Sequence, residues 1–336
     1  MKKYVIEPDK KGIAALSLHE VTQPREPKSW EVSVRMRAAS LNYRDLININ
    51  QGVTQELIPF SDGAGIVEEV GKAVTRFKKG DRVVGLFFPL WQGGDIDAQK
   101  FSVARGGVPT DGMLSEYVCG HEDSFLKFPE SLSYEEASTL PCAGLTAWNA
   151  VFVKGNLKPG ETIVIMGTGG VAIFALQLAK KMGAKVILIS STEEKLAKAK
   201  KMGADELINY KKNPNWEDLV LEITLQVGAD LVLDLGGGGT LAKSIAAVKM
   251  NGRISLVGVL TGFSSQINPL PILRRSLSVN GIYVGSGDMQ KQFHTAIEVN
   301  RIHPVIDRVF KFGQAKEAYE YMQSARHFGK IVILFD

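Results

Sequence analysis

The stretch Thr162-Ile163-Val164-Ile165-Met166-Gly167-Thr168-Gly169-Gly170-Val171-Ala172 decides how this chain folds. Its first five residues are a short, nearly unbroken apolar run, the pattern of a strand buried on both faces. Val171 to Met182 then follows a helical period, and Gly183 stops it. Between strand and helix, Gly167, Gly169 and Ala172 have the G-x-G-x-x-G/A spacing of a dinucleotide-binding turn, in the strand-to-helix context that gives the spacing its meaning. The first glycine makes the turn and the second lets backbone approach a pyrophosphate. The small third residue packs helix on strand. The helix start then offers free N–H groups and about half a positive charge to the phosphates. Gly167, Thr168, Gly169, Gly170 and Val171 are therefore the expected cofactor contacts.

Downstream the text repeats strand and helix. Lys185 to Ser190 reads as the second strand, and Ser191 with Glu194 as a capping box opening a helix that ends at Gly203. Glu206 to Tyr210 is a third strand, and Asn213-Pro214 reads as an N-cap with an N1 proline. Leu231 to Leu235 and Arg253 to Val257 continue the sheet, and Ser278 to Val284 is an edge strand. Helices over Met289–Asn300 and Gln314–Gln323 and a last strand over Lys330–Phe335 complete the chain. Alternating strands and helices imply a parallel sheet covered on both faces.

The end of the second strand selects the dinucleotide. An NAD site usually has Asp or Glu there to hold the ribose 2′-OH. Here Ser190-Ser191-Thr192 is small and neutral, and Lys195 follows one turn later. Hydroxyls and an ammonium suit a 2′-phosphate, which a carboxylate would repel. NADP(H) is expected, with Ser190, Ser191 and Lys195 as contacts.

Upstream of about residue 120 the chain is β-rich. Glu31 to Arg37 alternates in period two, and Gly65–Gly71 and Asp81–Gly85 are strands punctuated by glycine. The character changes near Leu140-Pro141. At roughly 150 residues per domain, 336 residues make two domains. Hydrophobic residues at 45% and charged residues at 23% exclude disordered and fibrous classes. Glycine, 34 residues or about 10%, exceeds the usual ~7%, which means tight turns or backbone brought close to a ligand. A net charge of +4 gives no basis for nucleic acid as a partner. Two cysteines, Cys119 and Cys142, exclude a disulfide scaffold and a four-cysteine zinc site. No apolar run approaches the ~18 residues of a membrane span, and the opening MKKYVIEPD lacks a signal-peptide core, so a cytoplasmic location is expected.

Several further segments carry a resemblance. Ser40-Leu41-Asn42-Tyr43-Arg44-Asp45, Ser61-Asp62-Gly63-Ala64-Gly65-Ile66-Val67, Lys79-Gly80-Asp81-Arg82-Val83, Leu140 to Trp148 and His327-Phe328-Gly329-Lys330 occur in order around the glycine turn. With them the chain resembles the medium-chain dehydrogenase/reductases, in their zinc-free, quinone-oxidoreductase-like and alcohol dehydrogenase-like branch. The resemblance implies an α/β fold: a Rossmann doubly wound parallel sheet over 143–285, plus a GroES-like β-rich catalytic domain built from 1–142 and 286–336. It also implies a homodimer joined through the edge strand near 278–284. Zinc-dependent members place cysteine where Asn42 stands and histidine where Ser61 stands, leaving Cys142 alone as a metal-competent residue. One thiolate cannot build a three-ligand catalytic zinc site, so no metal is expected.

By the same resemblance Asn42 positions ribose or substrate, and Tyr43 is the candidate proton donor or oxyanion stabiliser. Thr146, Tyr210, Leu235, Gly258, Val259, Val284, Phe328 and Lys330 join the expected cofactor contacts. The irregular stretch Leu86 to Met113 reads as a wall of an apolar substrate pocket through Trp91, with Trp148 and Phe263 opposite. The expected activity is NADP(H)-dependent, zinc-independent hydride transfer to quinones, enones or related small carbonyl compounds. Two alternatives stand beside it: a zinc-free alcohol or aldehyde oxidoreductase, and a non-enzymatic NADPH-sensing or nucleic-acid-binding protein on the same fold.

Overall fold

In the computed structural model of the chain, which describes residues 1–335, Thr162–Met166 is a strand with Ile163, Val164 and Ile165 fully buried. Parallel strands flank it on both sides. The six-stranded sheet runs Glu206–Asn209, Lys185–Ser190, Thr162–Met166, Ala229–Asp234, Val248–Leu256, Ser278–Gly281. In order of sequence this is 3-2-1-4-5-6, the doubly wound Rossmann order, with the reversal beside the first strand. Alternate residues serve opposite faces: Val164, Ile187, Val232 and Ile254 share one core with Trp216 and Val220. Each fully buried side chain of this kind stabilises the fold by roughly 1.5–3 kcal/mol.

Local chemistry sets the element ends. Gly170–Met182 is a helix that stops at Gly183, whose φ of 84° is left-handed and whose N–H bonds Ala179 O. The next helix, Glu193–Lys201, is capped by Thr192, whose side chain accepts from the Lys195 N–H, rather than by Ser191. The strand before it runs on to Ser190, so the turn needs Ser191 and the cap falls one residue later. The helix after the third strand is Trp216–Ile223 with Asn215 at its N-cap, two residues past the Asn213-Pro214 expected from sequence. Asn213 instead closes a turn, its N–H on Asn209 O at 2.9 Å. The edge strand ends at Gly281, short of Val284, because Val284 has a φ of 55°, which a β-branched residue cannot hold within a strand.

Chain contacts divide the protein into Met1–Leu145 with Val284–Asp336, and Thr146–Tyr283. In the first unit the strand Glu31–Ser40 is central. It pairs antiparallel with Asp62–Val70 on one side and with Tyr117–His121 and Lys330–Leu334 along the other. Ile306–Lys311 pairs parallel with Lys330–Leu334, and Arg82–Gly85 and Phe125–Lys127 extend the opposite edge. In its core Phe310, Phe312, Tyr319, Ile331 and Ile333 pack with Val34, Met36, Leu41 and Ile49. The 86–113 stretch is less open than its sequence suggests. It holds a short helix, Ala98–Ser102, and Phe87, Phe88 and Trp91 are buried, leaving Phe101 half exposed.

Candidate active site

The Rossmann unit gathers its share of the expected residues at the carboxyl ends of its strands. Gly167 follows the first strand at φ 79°, its N–H on Ile189 O at 2.7 Å, and a Cβ there would meet nothing within 4 Å. The Gly170–Met182 helix that follows carries no side-chain cap. The first helical N–H groups are thus left for an external acceptor, as a pyrophosphate requires. These residues fit a dinucleotide. Thr168 is buried, while Gly169, Gly170 and Val171 are half-buried.

Neighbouring strands bring further residues to the same edge. Ser190 ends the adjacent strand, and its carbonyl accepts from the Tyr210 N–H at 3.1 Å, joining those two expected contacts. Tyr210 is half exposed. On the other flank Gly258 lies against Leu235, whose carbonyl oxygen would be 2.2 Å from an added Cβ. Asp234, fully buried, fixes the glycine run that follows by accepting from Gly236 N, Gly237 N, the Thr240 hydroxyl and the Ser244 hydroxyl.

The acidic residues beside the second strand are already engaged. Glu193 accepts from Asn209 Nδ2 at 2.6 Å and pairs with Lys212 at 2.9 Å, and Glu194 pairs with Lys198 at 2.8 Å. Ser190, Ser191 and Thr192 therefore meet the strand end without a free carboxylate among them. Thr146 is buried in the short helix Leu145–Trp148, and Trp148 stacks edge-on to Phe152. Phe263, by contrast, is 77% exposed on the loop after the fifth strand.

The β-rich unit holds a second constellation, a buried polar cluster around Asn42. Lys330 Nζ donates to Leu41 O at 2.6 Å and to Asn42 Oδ1 at 2.7 Å, and lies 3.6 Å from Asp62. Asn42 Nδ2 donates to Asp62 Oδ2 at 2.9 Å and to Ser61 Oγ at 3.3 Å. Ser61 and Ser40 each donate their hydroxyl to Asp62, at 3.1 and 3.2 Å. Side-chain exposure is 3% for Lys330 and zero for Asp62. Burial raises the Asp62 carboxyl above its ordinary value, while the Lys330 charge and these three donors pull it back.

Tyr43 is the first residue of the helix Tyr43–Gln51, with Asn42 at its N-cap. It is 47% exposed, and its hydroxyl has no hydrogen bond among the described residues. It stands on a helix start, half exposed. Phe328 is buried two residues before Lys330, and Trp91 is buried with its indole N–H on Gly94 O at 2.8 Å. Ser40 and Asp62 are the members of the cluster that sequence reading missed as site residues. Polar residues at strand ends ordinarily read as exposed, so no local signal marks their burial.

The same cluster tests a catalytic zinc. The positions that zinc-dependent relatives use hold an amide already bonded to an ammonium, a hydroxyl, and Cys142. Burial, reinforced by the nearby Asp62 charge, pushes the Cys142 thiol well above its usual value. Among the described residues no three His, Cys, Asp or Glu side chains stand together as a metal site. The donor set does not fit zinc.

Residues 28–130 match the alcohol dehydrogenase GroES-like domain, and residues 170–300 match the family described as zinc-binding dehydrogenase. The chain is similar to a zinc-type alcohol dehydrogenase-like protein of Schizosaccharomyces pombe, 42% identical over 99% of both chains. It is also similar to a quinone oxidoreductase of Sus scrofa, 27% identical over 92% of this chain and 90% of the other. Among solved structures, a quinone oxidoreductase of Pseudomonas syringae superposes with a TM-score of 0.83 at 27% identity, over 99% and 100% of the two chains. The fold expected from sequence, a Rossmann sheet with a GroES-like unit, holds. With both domains matched and relatives aligned along its length, the chain belongs to the medium-chain dehydrogenase/reductase superfamily, as an oxidoreductase.

Proposed function

We propose that the protein is an NADP(H)-dependent, zinc-independent oxidoreductase that transfers hydride to quinones, enones or related small carbonyl compounds. One observation carries the cofactor half: the second strand ends in Ser190, Ser191 and Thr192, with Lys195 half-buried one turn on and Glu193 and Glu194 held by other lysines. This arrangement favours a 2′-phosphate over a bare ribose. Thr146, Gly167 to Val171, Tyr210, Leu235, Gly258, Val259, Val284 and Phe328 are the further residues assigned to the cofactor. The bound reduced nicotinamide supplies a hydride to carbon. A proton must then reach the acceptor oxygen, and we assign its donation to Tyr43, whose side chain is half exposed.

Acceptors that need no metal are those whose carbonyl oxygen hydrogen bonds alone can hold. The misfit of Asn42, Ser61 and Cys142 to zinc supports that class, as do the quinone oxidoreductases among the relatives. Trp91, Trp148 and Phe263 are assigned to the substrate side. A second reading, a zinc-free alcohol or aldehyde oxidoreductase, draws on the alcohol dehydrogenase-like relative. We also assign the edge strand Ser278–Gly281 to a homodimer, because its outer edge pairs with no strand among the described residues and Val279 and Tyr283 are exposed beside it.

NADPH oxidation by chelator-treated protein across quinones, enones, aldehydes and ketones tests the reading. Turnover of quinones or enones, undiminished by the chelator, is expected. Turnover of simple aldehydes alone would favour the second reading, and activity restored only by zinc would overturn both.

A further inference from the structure

Lys330 and Asp62 form a buried ion pair, and burying two charges is costly unless their geometry serves a purpose. The lysine has three N–H bonds to give. One goes to the Leu41 carbonyl, one to Asn42 Oδ1, and the third side of the ammonium faces Asp62. With 3% of its side chain exposed and two of its hydrogens committed inside the β-rich unit, the ammonium is turned inward toward Asp62. On its other side Asp62 accepts from Asn42 Nδ2, Ser61 and Ser40.

The Asn42 amide therefore lies between a cation and an anion. Its oxygen must face Lys330 and its nitrogen must face Asp62, so only one of the two flips of the amide is allowed. Asn42 is also an N-cap residue, a place where an asparagine oxygen ordinarily takes a first-turn N–H. Here that oxygen also accepts from Lys330, and the capping box is closed by the carboxylate of Asp45, which accepts from Asn42 N at 2.8 Å. The backbone on both sides of Asn42 is thus pinned, at Leu41 O and at Asn42 N. The next residue in the chain is Tyr43.

We propose that Lys330 and Asp62 are positioning residues, which hold Asn42 and the helix start so that the Tyr43 hydroxyl points to one place. This inference rests on Tyr43 as the proton donor of the proposed reaction. It replaces the assignment of Lys330 to the cofactor with a role inside the β-rich unit.

The test is a double-mutant cycle, with NADPH affinity measured alongside turnover. Substituting both partners, Lys330→Met with Asp62→Asn, leaves no unpaired buried charge, and Lys330→Arg keeps the cation as a control for folding. The Lys330→Met/Asp62→Asn protein is expected to lose at least tenfold in kcat while its NADPH Kd stays within threefold. In a Tyr43→Phe background the same pair of changes is expected to cost less than threefold more, because the group being positioned is already gone. A tenfold rise in the NADPH Kd with kcat retained would make Lys330 a cofactor contact and overturn the proposal. So would losses that multiply when the Tyr43→Phe change is added, which refutes the coupling alone and leaves the proton donor standing. Full activity in Tyr43→Phe by itself refutes the proton donor, and the proposal falls with it.

Discussion

Asp45 shows how closely charge is managed at single residues of the β-rich unit. Its carboxyl is wholly buried behind the Tyr43–Gln51 helix start, and burial pushes it up to about 6 against the pull of the Arg44 guanidinium and the Asn42 N–H. The negative charge of Asp62 pushes the same way, and Lys330 opposes it. A carboxyl whose pKa is higher folded than unfolded binds its proton more tightly in the native state. Its contribution is therefore unfavourable above pH 6, fades as pH falls, and vanishes below about pH 4. Relative to Asp45→Asn, the wild type should lose about 2–3 kcal/mol of stability between pH 4 and pH 7.5, at 1.36 kcal/mol per pKa unit. Urea unfolding of both proteins across that range measures the gap, and a gap independent of pH contradicts the burial account. The motif around Asn42 was legible in sequence as a place of interest, but its chemistry was not. Asn42 and Lys330 are separated by 288 residues, and no local pattern shows that they meet.

Elements were most legible where one residue type has one physical use. Gly167 supplies the left-handed turn and Gly183 the helix stop, and both read directly from sequence. Ser191 and Thr192 are both competent caps, so only the length of the preceding strand decides between them, and the choice from sequence fell one residue early. Val284 looked like a strand residue by its branching, yet its backbone is left-handed where the chain passes back to the first unit. The aromatics of 86–113 were legible as important and misleading about openness. Phe87 and Phe88 stack at 4.7 Å, and the Arg44 guanidinium sits 4.7 Å over the Phe87 ring, so the stretch packs on its own unit. At this scale Gly258 is the sharpest target. An alanine Cβ would stand 2.2 Å from Leu235 O, so the two strand-end loops must separate. Gly258→Ala should destabilise the protein by about 1–3 kcal/mol, the range of an overpacked site, and weaken nucleotide binding with it. Unchanged thermal stability would mean that the loops part freely.

At the scale of the whole molecule, the first unit is closed by the last strand, because Lys330–Leu334 pairs with Glu31–Ser40 and brings Lys330 to Asn42. Removing the C-terminal strand should therefore dismantle the polar cluster as well as the sheet. The proposed dimer is tested at the edge strand. Val279 is 37% exposed there, and a charge at an edge position opposes strand pairing. Val279→Lys is expected to shift sedimentation from dimer to monomer, and a wild type that sediments as a monomer removes that assignment. No helix among the described residues is long and apolar enough to cross a membrane. The cofactor claim depends on the neutral end of the second strand, Ser190 to Thr192, and is read most directly by titrating NADPH and NADH into the same protein. NADPH should bind at least about tenfold more tightly, the worth of one charge-assisted hydrogen bond to the 2′-phosphate. Equal or tighter binding of NADH would contradict the account.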